Sequence, residues 1–339
     1  MRNARDVNMD SAISIASSVI QCLYDDTQND SDVLHWIENF NNFETAISKW
    51  SKPQRKTLLH EYIQDQYLDA QNYVLDKHFV VDEIKGMQHL LEHYGVDYSY
   101  IGKVNVANLP FDEYTEELGE YADKLQSFFI DNLLDIVVDD VFSILYMDKN
   151  FLHEFNRQCA EIIRTLKKDD YPDLLRDDGV IKRVSYYPTW LKRGIEYRDK
   201  CRCSICGCDL SSAFTTLVDE NYDHIIPLKM GGNNDPSNWQ LTCERCNKSK
   251  GARSSDFKNI VKTNYPAIPG QKRSRCRSNR GIIDSPTPLF TPFCRFRYRS
   301  RGQIYSHQYP RTSSTNDPFL KWFSYASRMM RIAMSTSPF

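Results

Sequence analysis

The chain has 339 residues, 41% of them hydrophobic and 26% charged, with a formal net charge of -2; that length holds two or three domains and at least one sizeable core. The near-neutral total hides an acidic front and a basic tail: residues 1–185 carry about 18 Lys/Arg against 34 Asp/Glu, residues 186–253 about 10 against 8, and residues 254–339 about 15 against 3. The longest apolar stretches are broken by Asp or Asn short of a membrane span, no basic segment followed by an apolar run opens the sequence, and four of the ten cysteines fall in metal-site spacing, which disfavours a membrane protein and a disulfide framework and leaves a soluble chain of the reducing cytoplasm.

From Asp10 to about Lys167 apolar residues recur at helical spacing. Ala12, Ile13, Ala16, Val19, Ile20 and Leu23 share one face; Val33, Trp36, Ile37 and Phe40 repeat the pattern, as do Leu59, Tyr62, Ile63 and Tyr67. The run from Leu118 to Leu145 fits one extended helix or two joined ones. These predict an all-helical domain over residues 1–170 with an acidic outer surface, too negative to contact nucleic acid and so dispensable for cutting it. Within it, His89-Leu-Leu-Glu92-His93 matches the His-x-x-Glu-His order of one class of zinc peptidase. No further ligand motif follows, so the better reading is a polar helix face with two solvated histidines.

Residues 171–186 are charged and interrupted by Pro172 and Gly179, as a linker would be. After it, Tyr187-Pro188-Thr189 can start a short helix from Trp190 to Arg198, with Trp190, Leu191 and Ile195 as its packing face. The domain that this helix opens is placed at residues 187–264. Residues 265–339 form a basic, irregular tail, with Lys272–Arg277 and Arg295–Arg299 among Ser, Thr and Pro clusters; cations interleaved with aromatics suit a nucleic-acid-contacting arm.

The chemistry concentrates between Cys203 and Lys250. In order come Cys203-Ser-Ile-Cys206, Tyr222-Asp223-His224-Ile-Ile-Pro227, Gly231-Gly232, Asn238-Trp239 and Cys243-Glu-Arg-Cys246-Asn247-Lys248-Ser-Lys250. Two Cys-x-x-Cys turns each aim two thiolates at one point, so Cys203, Cys206, Cys243 and Cys246 are expected to hold a structural Zn²⁺. Cys201 and Cys208 leave the register of the first pair open, and Gly207 favours 203/206. The roughly 36 residues between the pairs exceed a simple zinc ribbon, so a further unit sits between them, with short strands at Thr215–Val218, Tyr222–Ile226 and Trp239–Thr242 and a helix from about Glu244. Asp223 and His224, adjacent in a strand, point to opposite faces and therefore have different tasks. Asp223 suits a hard-cation ligand and His224, neutral near pH 7, a general base.

This pattern resembles the HNH endonuclease family, the ββα-metal nucleases. The resemblance rests on Asp223-His224, the Pro three residues after it, the Gly-Gly, Asn238, Asn247 and the two cysteine pairs, and it covers about 70 of the 339 residues. It implies that His224 is the general base, that Asp223 and Asn247 hold a catalytic divalent metal, and that Asn238 fixes the loop orienting the base. Asn247 stands where the family name has its last His; an oxygen-only pair favours Mg²⁺ or Mn²⁺, leaving Zn²⁺ to the thiolates. Lys248, Lys250 and Arg253 are then placed to hold backbone phosphates. The expected whole is an α+β multidomain chain: an all-helical N-terminal domain, a small ββα-metal domain with a four-cysteine zinc site, and the basic tail. Its expected activity is hydrolysis of DNA phosphodiesters, rising through pH 6–7 as an ordinary imidazole deprotonates. A role in restriction or phage defence, with a regulatory or ATPase partner on the helical domain, follows by analogy alone. The alternative is a zinc-knuckle nucleic-acid-binding module without catalysis.

Overall fold

The computed structural model describes residues 9–24, 33–39, 42–76, 79–110, 113–211, 220–251, 293–300 and 303–310. The front is helical: α1 Met9–Tyr24, α2 Val33–Asn39, α3 Phe43–Ser51, α4 Leu58–Asp76, α5 Val80–His93, α6 Glu116–Phe129, α7 Asp135–Leu145 and α8 Lys149–Thr165. Local chemistry fixes their starts. Thr115 caps α6 by accepting from the Leu118 N–H, with Glu116 and Glu117 in the first turn, and the Asp148 carboxylate caps α8 by accepting from Asn150 and Phe151. The long apolar run is two joined helices: α6 passes into α7 through a π-type turn, Ile130–Leu134, which keeps the chain helical while burying Leu133 and Leu134. Trp36, Trp50, Tyr62, Tyr67, Phe129, Phe151 and Phe155 fill the core these helices enclose.

Residues 171–186, expected as a linker, are folded into that core. β1 Leu175–Asp177 and β2 Val180–Ile181 pair antiparallel, and Leu174, Leu175 and Ile181 are buried with the helical side chains. Then follow α9 Thr189–Asp199, β3 Glu220–His224, β4 Trp239–Cys243 and α10 Glu244–Lys250. β3 and β4 pair antiparallel, with Asp223 opposite Gln240 and His224 opposite Trp239. The strand expected at Thr215–Val218 lies outside the described residues. A second, smaller core of Leu191, Ile195, Leu210, Trp239, Leu241 and three of the paired cysteines packs α9 against β4. The Arg198–Asp199 ion pair is buried there; Asp199 also accepts from the Leu241 N–H (2.7 Å), the Ser204 hydroxyl (2.9 Å) and Lys149 (3.0 Å), so one carboxylate ties α8, α9, β4 and the cysteine loop.

All of this, residues 9–251, is one compact unit. The expected boundary between a helical domain and a distinct zinc-bearing domain therefore does not divide the chain into separate bodies. The loop after His224 explains why: Ile225, Ile226 and Leu228 are buried in the helical core, not the smaller one. β3 ends two residues before the expected Ile226 because Ile225 and Ile226 turn away, donating to the backbone and side-chain oxygens of Asn238. Gly231 has φ 84° and a Cβ there would stand 2.6 Å from the Ala160 carbonyl of α8; a Cβ on Gly232 would meet the Ile226 carbonyl at 1.9 Å. The Gly-Gly pair is thus what lets this loop lie against α8. The tail departs from expectation too. The backbones of β5 Phe293–Ser300 and β6 Gln303–Pro310 form an antiparallel hairpin in a second unit, in line with Phe296 and Tyr298 alternating with Arg295, Arg297 and Arg299.

The start of α4 joins front and loop. The His60 ring Nδ1 accepts from the Thr57 N–H (3.0 Å) in the manner of a capping box, while the next N–H, that of Leu58, donates to the Asp235 carboxylate (2.8 Å). His60 stacks on Phe142 at 3.8 Å, and burial, aided by Lys56 and Lys49 against Asp135, pushes its pKa down to about 3; the exposed Asp139 carboxylate is 3.7 Å from Nε2. The unfolded chain binds this proton near pH 6.5 and the fold does not, so the stabilisation is complete above pH 6.5 and is lost as pH falls toward 3. We expect His60→Gln to flatten the fall in unfolding free energy between pH 7 and pH 5 by about 1–2 kcal/mol, read by denaturant titration. Equal slopes for variant and wild type would remove His60 from this account.

Candidate functional site

The four cysteines converge. The Sγ atoms of Cys203, Cys206, Cys243 and Cys246 all lie within 4.8 Å of one another, and Cys206 to Cys243 is 3.8 Å. A tetrahedron of Zn–S bonds of about 2.3 Å has edges of about 3.8 Å, so the donor set fits zinc. The register is settled by the turn: the Gly207 N–H donates to the Cys203 carbonyl with Gly207 at φ 75°, and the Cys203 N–H returns to Cys208, leaving Cys201 and Cys208 out of the cluster. Cys243 is also the N-cap of α10, its sulfur accepting from the Cys246 N–H at 3.4 Å. The cluster therefore fixes where α10 starts relative to β4.

That placement sets the face opposite β3. Asp223 is 9% exposed, and its carboxylate meets the Lys250 ammonium at 2.5 Å and the Gln240 amide at 3.4 Å. Lys250 also donates to the His224 carbonyl, and its side chain is 3% exposed. This differs from the expected phosphate-facing role: Lys250 reaches inward because it stands on the face of α10 that packs against β3. Asn247, half-buried and three residues earlier, shares that face. Lys248 is exposed and ion-paired with Glu244, and Arg253 lies outside the described residues. The Asp223 carboxylate and the Asn247 carboxamide are hard oxygen donors, the chemistry that suits a divalent ion of the magnesium type, and in this structure the carboxylate is paired with the Lys250 ammonium.

His224 faces the other way. It is 1% exposed, packs on Trp239 with ring centroids 3.9 Å apart, and its Nε2 lies 3.3 Å from Asn234 Oδ1. Burial, with Arg183 and Lys250 adding to it, pushes its pKa down to about 3, so the ring is neutral well below the pH 6–7 expected of an ordinary imidazole. Asn238 is fully buried: its amide donates to the Ile226 and Asn233 carbonyls (3.0 and 2.9 Å) and its oxygen accepts from the Ile226 N–H (2.8 Å). The bonds staple the two ends of the loop between His224 and β4.

Several contributors carry no motif. Asn156 on α8 accepts from the Asn233 amide (3.1 Å) and donates to Ser237 (3.2 Å), and Asn234 is held by the backbone of Trp50, Ser51 and Lys182. The run Asn233-Asn234-Asp235 after two glycines is a turn signal in sequence; its partners, 50 or more residues away, are not. His89 and His93 lie on the exposed side of α5 with ring centroids 5.9 Å apart, and Glu92 engages Tyr98 and Lys103 instead. Among the described residues the four cysteines are the one cluster of three or more metal-ligating side chains, and no described helix is long and apolar enough to cross a membrane.

Comparison with curated proteins and with solved structures finds no match. The family model described as HNH endonuclease matches residues 203–253, which run from the first paired cysteine past α10 and include Asp223, His224, Asn238 and Asn247. With the cysteine cluster and the ββα arrangement in place, residues 203–253 are an HNH endonuclease domain, which points to a nuclease or nucleic-acid-related role.

Proposed function

We propose that the protein is a metal-dependent endonuclease that hydrolyses DNA phosphodiester bonds, with His224 as general base and Asp223 and Asn247 as the ligands of the catalytic cation. The observation that carries this reading is the division of labour at the end of β3: the Asp223 carboxylate meets a cation on the α10 side, while His224 presents a neutral ring on the other. A bound Mg²⁺ or Mn²⁺ would stabilise the charge that develops on the phosphate and the leaving oxygen. Asp223 and Asn247 hold oxygen donors on one face; His224 takes the proton of the attacking water; Asn238 keeps the loop between them from shifting. The cysteine cluster sets the α10 register on which Asn247 depends.

The test is a plasmid-nicking series across metal concentration. His224→Ala should lower kcat by about 10²- to 10⁴-fold with zinc content and folding unchanged, whereas Asp223→Ala and Asn247→Ala should shift activity to higher Mg²⁺ or Mn²⁺ before it is lost. Wild-type cleavage by His224→Ala ends the mechanism. Lys250→Met frees the Asp223 carboxylate from its ammonium, so we expect Mn²⁺, followed by electron paramagnetic resonance, to bind it several-fold more tightly; unchanged or weaker binding would show that Lys250 supports the carboxylate instead of sharing it.

The burial of His224 and the Asp223–Lys250 pair favour a second reading, a zinc-held nucleic-acid-binding module in which both side chains serve the fold. It predicts duplex binding without cleavage, and with it a large loss of stability, not of rate, in His224→Ala.

A further inference from the structure

Which nitrogen of His224 accepts the proton is set by a residue that has no place in the motif. Asn234 presents Oδ1 to His224 Nε2 at 3.3 Å, while its Nδ2 donates to two carbonyls, Lys182 at 2.9 Å and Ser51 at 3.2 Å. An amide flipped end for end would turn its oxygen onto two carbonyl oxygens, so the pair of acceptors fixes the orientation. Its backbone is held as firmly: the Asn234 N–H donates to the Trp50 carbonyl (3.1 Å) and its own carbonyl accepts from Trp239 Nε1 (3.2 Å). Asn234 is fully buried, so no water competes for these groups. Facing a fixed acceptor oxygen, Nε2 must carry the hydrogen, and the ring's lone pair is then on Nδ1.

We propose that Asn234 is a positioning residue that fixes the Nε2–H tautomer of His224 and so makes Nδ1 the proton-accepting atom. The inference rests on the reading of His224 as general base and adds what sets its reacting atom. Two of the three backbone carbonyls around Asn234, those of Trp50 and Ser51, come from the end of α3, and the third, that of Lys182, from the residue after β2; all three are outside residues 203–253. The helical front is therefore part of what orients the base. When Nδ1 takes a proton from water, the ring becomes cationic and its Nε2–H already points at an oriented oxygen, which requires no rearrangement at that moment.

The test uses the full-length protein loaded with zinc. Nitrogen-15 spectra of the histidine rings, with His224 assigned by the signals lost in His224→Gln, should show Nε2 protonated and Nδ1 bare in the wild type at pH 7. Asn234→Ala should leave zinc content and KM within about twofold, lower the midpoint of thermal unfolding because its buried partners lose their bonds, stay folded at the assay temperature, mix the tautomers, and lower kcat by about 10²-fold. A wild type that cleaves DNA with an Nδ1–H ring overturns the inference while leaving the nuclease reading intact, and needs no variant to fold. A folded Asn234→Ala with unchanged tautomer or unchanged kcat overturns it as well. A wild type that does not cleave with Mg²⁺ or Mn²⁺ overturns the nuclease reading and, with it, any role for Nδ1 as a base.

Discussion

Deleting residues 1–170 should unfold the HNH segment, with no cooperative unfolding in the fragment that remains and, on the function proposed above, no cleavage. The deleted residues carry about 15 Lys/Arg against 31 Asp/Glu, and charge alone would make their loss favourable for a DNA-binding fragment. Charge is the smaller effect. Exposed charges are screened over about 8–10 Å and contribute about 0–1 kcal/mol each. Against that, Ile225, Ile226 and Leu228 lose the core that buries them, at about 1.5–3 kcal/mol each. Asn233, Asn234 and Asp235 lose Asn156, the Trp50 and Ser51 carbonyls and the Leu58 N–H, at about 1–3 kcal/mol for each buried group left unpaired. The sum is comparable with the whole stability of a typical domain, about 5–15 kcal/mol. Limited proteolysis of the fragment should cut between Ile225 and Asn238. A fragment that unfolds cooperatively and nicks plasmid would show that the loop holds without the front. In the full-length chain Asn156→Leu removes one strand of the same network and should cost about 1–3 kcal/mol by denaturant titration.

Cys243→Ser is expected to release the zinc and melt the smaller core while leaving much of the helical front intact. Structural zinc contributes on the order of 10 kcal/mol or more at pH 7, and the core it supports is small: Leu191, Ile195, Leu210, Trp239 and Leu241 around the cysteines. Cys243 also caps α10, so its loss frees the helix that carries Asn247 and Lys250. Zinc released to a chromogenic chelator should fall by about one ion per chain, cleavage should disappear, and protease sites should open after Asp199. Most helical circular dichroism should remain, since α1 to α8 have their own core. Cys201→Ser and Cys208→Ser, outside the cluster, should retain the metal. Unchanged zinc and unchanged protease resistance in Cys243→Ser would defeat the assignment of this site.

Whatever depends on short-range spacing was legible in the sequence. Helical periodicity marked the front, because a 3.6-residue repeat is written in neighbours, and the paired cysteines marked a metal site because a Cys-x-x-Cys turn converges whatever surrounds it. The opposite orientations of Asp223 and His224 follow from strand geometry alone, and Asp223 meets α10 while His224 meets Asn234 and Trp239. Packing in three dimensions settled what those groups meet. Lys250 reads as a phosphate-holding cation in the sequence, but α10 packed on β3 turns it to Asp223, and the loop from Ile225 to Asn238, whose apolar residues suit either core, was claimed by the helical one. The pKa of His224 belongs with these, since the burial that lowers it, and the Arg183 and Lys250 charges that add to it, exist only in the folded chain. Backbone carbonyls such as those of Ser51 and Lys182 have no residue signature at all, so the contacts that orient Asn234 and, through it, His224 could be read only once the chain had folded.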